Sequence, residues 1–170
     1  MSKSILVLVH QYAEDLELWY PIYRLQEEGY TVHMAGPSAN EQFKGKYGVP
    51  YVTDISWDTV EVNQYAGLLI PGGWAPDVIR RYQVVKEIVR AFDAQKKPIG
   101  QICHAGWVTI SAGILKERNV TSTPGIMDDM INAGAIWHDQ AVVVDGHIIS
   151  SRKPGDLPVY MKAYISALSK

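Results

Sequence analysis

Apolar runs and amphipathic segments alternate along the first part of this chain. Residues 5–9 form the continuous run Ile-Leu-Val-Leu-Val, which is typical of a parallel strand buried on both faces. Leu18, Ile22 and Leu25 follow at helical spacing, and a second strand is predicted over residues 31–35. The pattern therefore predicts a βαβ unit whose first strand lies inside the sheet.

The same alternation returns in the second half of the chain. Apolar strands are predicted over residues 67–70, before Pro71-Gly72-Gly73, and over residues 99–102, before Cys103. An amphipathic helix is predicted between these strands from the helical spacing of Val85, Ile88, Val89 and Phe92. Residues 105–112 are apolar on nearly every side, which predicts a short buried helix that ends at Gly113.

The C-terminal part predicts a β-hairpin followed by a helix. Asp145-Gly146 separates two apolar runs and favours a type I′ turn. The last helix is expected to bury one face, formed by Leu157, Tyr160, Met161, Tyr164, Ile165 and Leu168. Residues 37–65 have no clear periodicity because Gly45, Gly48 and Pro50 interrupt them, and we expect no functional residues there.

These elements predict an α/β protein with a doubly wound, mostly parallel central sheet, helices on both faces and a C-terminal β-hairpin. Neither a linker nor an internal repeat is visible, so we expect one domain over residues 1–170. Sites in such sheets form beyond the carboxyl ends of the strands. Three strand ends carry candidate chemistry: the turn with Glu14, the pair Gly72-Gly73, and the turn Cys103-His104.

Composition and charge narrow the possible functions. The single cysteine among 170 residues cannot form an intrachain disulfide and indicates a reducing compartment, which we take to be the cytoplasm. A net charge of -2 with scattered basic residues argues against nucleic-acid binding. We see no segment that would span a membrane. The five histidines lack close ligand spacing, so we expect neither a metal nor a cofactor.

Cys103 is the main candidate for chemistry. A thiol at the start of a helix feels the positive end of the helix dipole, which favours the thiolate and predicts a lowered pKa. The turn is similar to a nucleophile elbow, although Gln101 and Ala105 stand where that motif has glycine. A lone cysteine beside an apolar helix is also consistent with inert packing.

The neighbouring polar residues leave both functional and structural interpretations open. His104 follows the cysteine directly, but successive side chains diverge, so it is also consistent with a surface histidine. Glu14, with Asp15 and Glu17, fits an ordinary acidic helix start. Arg80-Arg81 fits a solvated helix face, and Asp128-Asp129 fits the first turn of a helix or a subunit contact.

Several ordered motifs resemble those of the ThiJ/PfpI superfamily, and PfpI-type proteins in particular. They extend over almost the whole chain and are highly specific as a set. The motifs are Glu14-Asp15-Leu16-Glu17, Pro71-Gly72-Gly73, Ile102 to Gly106, Ile110 to Leu115, Pro124-Gly125-Ile126, Asp128 to Gly134, Val142 to Arg152 and Asp156-Leu157-Pro158. The resemblance implies a flavodoxin-like sandwich that forms homodimers or homohexamers, with sites near subunit interfaces.

The resemblance also implies roles for individual residues. Cys103 matches the nucleophile, and Glu14 matches the carboxyl that hydrogen-bonds the sulfur. His104 matches the family histidine, which an acidic residue of a neighbouring subunit orients, and the matching acidic position is Asp77. The backbone amides of Gly73 and His104, beside Gly72, match the pair that stabilises an oxyanion.

The implied function is a cysteine-dependent, stress-protective enzyme. The leading hypothesis is a cofactor-free glyoxalase or deglycase acting on methylglyoxal-type aldehydes or glycation adducts. An intracellular cysteine peptidase is the second hypothesis, and a non-enzymatic thiol oxidation sensor or chaperone is the third. A glutamine amidotransferase is disfavoured because no His-x-Glu pair follows the cysteine.

The chain departs from the family pattern near the expected pocket. It has Ala105-Gly106-Trp107 where many relatives have Gly-Pro after the histidine, and Thr123 where many have tyrosine. Because these positions lie near the expected pocket, the substrate preference can differ from that of the relatives. Trp74 and Trp107 are candidates for the pocket mouth, although tryptophans near buried elements are also common in the core.

Overall fold

The computed structural model describes residues 3–169. Its main sheet has seven strands in the order β10-β11-β7-β6-β1-β2-β5, and every neighbouring pair is parallel except β10 with β11. Two small two-stranded sheets, β3-β4 and β8-β9, lie outside it. The strands are β1 Ser4–Leu8, β2 Thr31–Gly36, β3 Gln42–Lys44, β4 Pro50–Val52, β5 Ile55–Ser56, β6 Gly67–Ile70, β7 Ile99–Ile102, β8 Asn119–Val120, β9 Ile136–Trp137, β10 Val142–Asp145 and β11 Ile148–Ser151.

Helices cover both faces of the main sheet. They are α1 Asp15–Glu27, α2 Ala75–Ile79, α3 Gln83–Ala94, α4 Gly106–Ala112, α5 Met127–Asn132 and α6 Leu157–Leu168, with short 3₁₀ turns that include Cys103–Ala105 and Pro124–Ile126. The apolar side chains of α1 and α6 join one core cluster, and those of α2, α3 and α4 join another on the opposite face. The predicted doubly wound α/β fold with a C-terminal hairpin is therefore confirmed.

The apolar runs of the sequence form the centre of this sheet. All residues of β6 and β7 are buried, and so are Ile5 to Leu8 of β1, because each of these strands has a strand on both sides and helices above and below. Helix α6 lies close to the sheet, since a side chain at Gly100 would overlap the Tyr160 hydroxyl. The neighbouring Tyr164 hydroxyl donates to the Leu68 carbonyl at 3.1 Å.

The C-terminal hairpin differs from its prediction in the type of turn. Asp145 already pairs with Ile148, so Gly146 and His147 form the two-residue loop. Gly146 has a φ of 60°, whereas His147 is not among the residues with positive φ. A type I′ turn needs positive φ at both central residues, and the observed φ pattern is that of a type II′ turn, which places glycine first.

No helix among residues 3–169 combines the length and apolarity that crossing a bilayer requires.

Candidate active site

A cavity of about 140 Å³ lies beyond the carboxyl ends of β1, β6 and β7. Glu14 and Glu17 reach it from the start of α1, Gly73 from the turn after β6, and Cys103 and His104 from the turn after β7. The sequence placed candidate chemistry at these three strand ends, and the parallel sheet brings them together. We call this feature the Cys103 cavity.

Cys103 occupies a tight turn with an uncommon backbone conformation. Its φ is 61°, in the left-handed region that a non-glycine residue rarely adopts, and the chain enters α4 only at Gly106. A Cβ atom at Gly72 would lie 2.7 Å from the Cys103 Cβ, so that position admits only glycine. The turn is also held by the Thr123 amide, which donates to the Cys103 carbonyl at 3.3 Å. This geometry presents the sulfur to the cavity at a strained strand-to-helix turn.

The carboxyl beside the sulfur belongs to Glu17. Its side chain is 2% exposed, and Oε2 accepts a hydrogen bond from the Gly72 amide at 2.8 Å. The Glu17 carboxyl also hydrogen-bonds the Cys103 thiol. The sequence did not single out this residue from the acidic cluster of residues 14, 15 and 17.

Glu14, which we expected at the sulfur, is the N-cap of α1. Its Oε2 accepts the Glu17 amide at 2.7 Å, which satisfies one of the free amides at the helix start. The side chain still lines the Cys103 cavity, but the hydrogen bond to the sulfur is made by Glu17 instead. Glu14 precedes the helix, whereas Glu17 lies in its first turn, from which its carboxyl reaches the Gly72 amide after β6.

Burial governs the ionisation of the two acids. Desolvation, followed by the charge of Glu14, raises the pKa of Glu17 from 4.5 to about 8, against the lowering effect of its hydrogen bonds with Gly72 and Cys103. Desolvation, followed by the Glu17 charge, raises the pKa of the Cys103 thiol to about 12, although the amides of His104 and Gly73 lower it. The Glu17 carboxyl is therefore mostly protonated at neutral pH, and in that form it no longer repels a thiolate.

The lowered thiol pKa that we expected from the helix dipole is not found. Helix α4 has only seven residues and begins three positions after Cys103, so the dipole is weak at the sulfur. Burial of the sulfur beside a carboxyl opposes ionisation more strongly. The thiol is therefore neutral at rest and needs a base close by.

His104 lies where it can act as that base. Its Nδ1 is 3.2 Å from the Cys103 sulfur, so the left-handed turn brings together two consecutive side chains that would otherwise diverge. Desolvation and the nearby charge of Lys46 lower the pKa of His104 below 6.5. The imidazole is therefore neutral at pH 7, and the tautomer with its proton on Nε2 can accept the thiol proton at Nδ1.

Asp77 does not contact His104 within this chain. It lies in α2, its side chain is about half exposed, and it forms an ion pair with Arg81. Its proposed action across a subunit interface stays a prediction.

A loop of the poorly patterned region unexpectedly borders the site. Lys46 and Tyr47 line the Cys103 cavity, although we expected no functional residues between positions 37 and 65. The Asp15 carboxylate holds this loop by accepting the amides of Tyr47 at 2.7 Å and Val49 at 3.0 Å. Gly45 allows the close approach, because a Cβ there would overlap the Asp15 carboxylate. In the sequence, only the glycines on either side of Lys46-Tyr47, at positions 45 and 48, indicated a tight loop here.

The two candidate tryptophans have different positions. Trp74 is 61% exposed and lines the Cys103 cavity, as expected. Trp107 is half-buried and packs against His104, with ring centres 5.1 Å apart. Trp107 therefore contacts the candidate base and is not among the residues that line the cavity.

These features define an α/β protein with a cysteine, a histidine and a buried carboxyl grouped at the carboxyl edge of its sheet. The sequence model of the DJ-1/PfpI family matches residues 3–167, and the chain belongs to this family. It is 43% identical over 165 residues to a protein of Pyrococcus furiosus named deglycase PfpI, covering 97% of this chain and 99% of that protein. It is 37% identical over 168 residues to the putative cysteine protease YraA of Bacillus subtilis, covering 99% of each.

A solved structure gives the same assignment. A two-domain protein of Anabaena variabilis, with DJ-1/ThiJ/PfpI-like and ferritin-like domains, superposes with a TM-score of 0.97 at 35% identity. The match covers 99% of this chain and 48% of that chain.

Proposed function

We propose that this protein is a cofactor-free, cysteine-dependent glyoxalase or deglycase that acts on α-oxoaldehydes such as methylglyoxal and on their early adducts with proteins. The observation that carries the proposal is the 3.2 Å contact between His104 Nδ1 and the Cys103 sulfur, with the protonated Glu17 carboxyl beside the same sulfur. A nucleophile, a base and an acid thus meet in one small cavity. The related protein named a deglycase supports this assignment.

The first step is activation of the thiol. Neutral His104 accepts the Cys103 proton at Nδ1, and the sulfur attacks the aldehyde carbon as the C–S bond forms. The Glu17 carboxyl gives its proton to the aldehyde oxygen, which yields a neutral hemithioacetal. The amides of Gly73 and His104 lower the pKa of the Cys103 thiol, so we expect them to stabilise negative charge that develops next to the sulfur. One such donor contributes roughly 3 to 4 kcal/mol in other enzymes.

The second step moves hydrogen between the two carbons of the substrate. The Glu17 carboxylate, now without its proton, removes the hydrogen of the former aldehyde carbon as a proton, while protonated His104 gives its proton to the neighbouring carbonyl oxygen, which yields an enediol. The Glu17 carboxyl then gives that proton to the second carbon and accepts the first hydroxyl proton, which yields a thioester of a 2-hydroxy acid and protonated Glu17. Water then cleaves the thioester and restores the thiol. The net reaction is methylglyoxal plus water to lactate and one proton.

The size of the cavity favours small carbonyl compounds. Its volume of about 140 Å³ is far below the several hundred cubic ångströms of a typical drug-sized ligand pocket. Exposed aromatic side chains, Tyr47 and Trp74, stand at its edge, where an adduct on a protein side chain would approach. Both free aldehydes and exposed adducts fit this arrangement.

Peptide hydrolysis is the second candidate function, and the relative named a putative cysteine protease supports it. The same sulfur would attack a peptide carbonyl and form a thioester, with His104 returning a proton to the leaving amine. A thiol oxidation sensor is less well supported, because oxidation follows thiolate character and burial raises the pKa of Cys103.

We also propose that the protein forms a homodimer or homohexamer. Leu16 and Tyr23 of α1 are more than half exposed, and Trp19 stacks on Tyr23 at 5.6 Å, so this helix has an apolar outer face as well as its core face. Light scattering after size exclusion should give a multiple of 19.0 kDa, and a single-chain mass would contradict the proposal.

The decisive experiment measures methylglyoxal consumption and lactate formation without glutathione. We expect steady turnover by the unmodified protein and a loss of at least about 10³-fold in Cys103→Ser, because the hydroxyl is a much weaker nucleophile than the thiol. Casein and short peptides should be assayed in parallel. Peptide cleavage that depends on Cys103, without lactate formation, would favour the second candidate.

A further inference from the structure

His104 lies between the Cys103 sulfur and an aromatic ring of the same chain. Its imidazole lies against the Cys103 sulfur on one side, at 3.2 Å from Nδ1. The ring packed against it is Trp107, with a centre-to-centre distance of 5.1 Å and an angle of 54° between the planes. Within this chain Asp77 is paired with Arg81, and its expected contact with His104 would come from a neighbouring subunit.

Trp107 is itself held at two points. Its Nε1–H donates to the Asp129 carboxylate at 2.8 Å. The guanidinium of Arg80 lies 5.7 Å from the centre of the indole, and Arg80 Nε donates to the Ser111 hydroxyl at 2.8 Å, which fixes the cation in place. The indole therefore has little freedom to move.

The packing of two helices places the Asp129 anchor. A Cβ atom at Gly106, the first residue of α4, would lie 2.6 Å from the Met130 sulfur and 3.1 Å from Ile126. Glycine thus lets α5 pack directly on the first turn of α4, and Met130 is fully buried there. This close packing brings the neighbouring Asp129 within hydrogen-bond distance of Trp107.

We infer that Trp107 is a positioning residue that holds the His104 imidazole on the Cys103 sulfur, with Asp129 and Arg80 fixing the indole. The inference rests on the proposed function, because it assigns the base of that reaction to His104. A histidine has few torsions, so one packed ring restricts it to the rotamer that reaches the thiol. Without the indole, the imidazole can swing away, and proton transfer from the neutral thiol slows.

The kinetic test compares Trp107→Ala and Trp107→Phe with the unmodified protein. We expect kcat for methylglyoxal to fall about 10- to 100-fold in Trp107→Ala, as a misplaced catalytic group does elsewhere, with KM changed less than about twofold. Trp107→Phe keeps a ring against His104 and should recover most of the rate. Asp129→Ala should lose part of the rate, and Asp129→Asn should restore it because the amide oxygen accepts the same N–H.

Trp137→Ala is the matched control. Trp137 is also half-buried, packs on the same apolar cluster as Trp107, and donates its indole N–H to the Ser122 hydroxyl at 3.0 Å. Among the described residues, the ring that packs on His104 is that of Trp107 and not that of Trp137. Thermal unfolding of both alanine variants shows whether each is folded under the assay conditions. If Trp107→Ala is unfolded, Asp129→Ala replaces it in the comparison.

Two measurements need no turnover and separate this inference from the proposed function. The rate of Cys103 alkylation by iodoacetamide should fall in Trp107→Ala and stay unchanged in Trp137→Ala. Indole fluorescence should drop as His104 becomes protonated, since imidazolium quenches a contacting indole. This drop should vanish in Trp107→Phe and in His104→Gln, but persist in Trp137→Phe.

The possible outcomes are distinct. If the unmodified protein turns over neither aldehyde nor peptide, the proposed function fails, while alkylation and fluorescence still decide the role of Trp107. The inference is overturned if Trp107→Ala and Trp137→Ala have equal kcat values and alkylation rates, or if phenylalanine restores neither.

Discussion

The two edges of the main sheet each hold a histidine, which pairs with a carboxylate at the amino edge and lies beside a thiol at the carboxyl edge. At the amino edge, His147 Nε2 lies 2.8 Å from Asp93, which Arg118 also approaches at 3.7 Å, and Arg118 lies 3.5 Å from Asp145. These charges are partly solvated and alternate in sign. At the carboxyl edge, Glu17 is buried beside a thiol, and its second oxygen has no hydrogen-bonding nitrogen or oxygen partner within the described residues.

The difference separates a stabilising network from a reactive site. Ion pairs at the amino edge satisfy one another and contribute modestly to folding. The carboxyl edge retains a left-handed cysteine and two acids whose ionised forms are both destabilised by burial. Such a site costs stability and supplies proton donors and acceptors near neutral pH, which is the usual balance between stability and activity.

Among the variants that test this comparison, Glu17→Gln should have the largest effect. It should lower the activity and raise the stability of the protein. Activity should fall about 100-fold because the amide cannot exchange a proton, while the Gly72 hydrogen bond is kept. Stability should rise by about 3 kcal/mol at pH 7, since keeping the buried carboxyl protonated costs about 1.4 kcal/mol for each pH unit above its ordinary pKa of 4.5. Urea unfolding and lactate assays check both.

The sign of the stability effect follows from the raised pKa. Below pH 4.5 the carboxyl is protonated in both the folded and unfolded states, so wild type and Glu17→Gln should differ little. Between pH 4.5 and about 8 the folded state holds the extra proton, wild-type stability falls, and the difference should grow before levelling off. Glu14→Gln is the matched control, because it keeps the helix cap and should show a smaller activity loss. Equal activity losses in the two variants would contradict the assignment of the sulfur partner to Glu17.

The pH profile of kcat/KM should show the next largest effect, up to about tenfold per pH unit on each limb. Activity needs neutral His104, whose pKa is lowered by burial, so the acid limb should lie below pH 6.5. It also needs protonated Glu17, so the alkaline limb should lie near pH 8. Glu17→Gln should remove the alkaline limb alone. A profile that rises continuously to pH 10 would instead indicate simple ionisation of the thiol.

Asp93→Asn at the amino edge should have the smallest effect. The amide oxygen can still accept from His147, and only the charge interaction with Arg118 is lost. We expect a stability loss below about 1 kcal/mol that shrinks in high salt, because ion pairs that are partly open to solvent are weak and screened. Lactate formation should be unchanged. A change in kcat of tenfold or more would mean that the two edges are coupled.

The strands and helices could be predicted well where apolar periodicity is strong. The buried run of β1 and the core spacing of α3 led directly to the observed elements, because burial on both faces or on one helical stripe leaves a clear trace in the sequence. The loop with Lys46 and Tyr47 could not be predicted in this way. Its shape depends on hydrogen bonds to Asp15, more than thirty residues away in sequence.

By itself, the sequence determined the α/β architecture and the place of the single cysteine at a strand-to-helix turn. Only the tertiary structure decided that Glu17 rather than Glu14 meets the sulfur, that His104 contacts it, and that the thiol pKa is raised. The physical reason is that local patterns set which residues form strands and helices. Proton affinity instead depends on desolvation and on charges from distant parts of the chain, which meet only in the folded molecule.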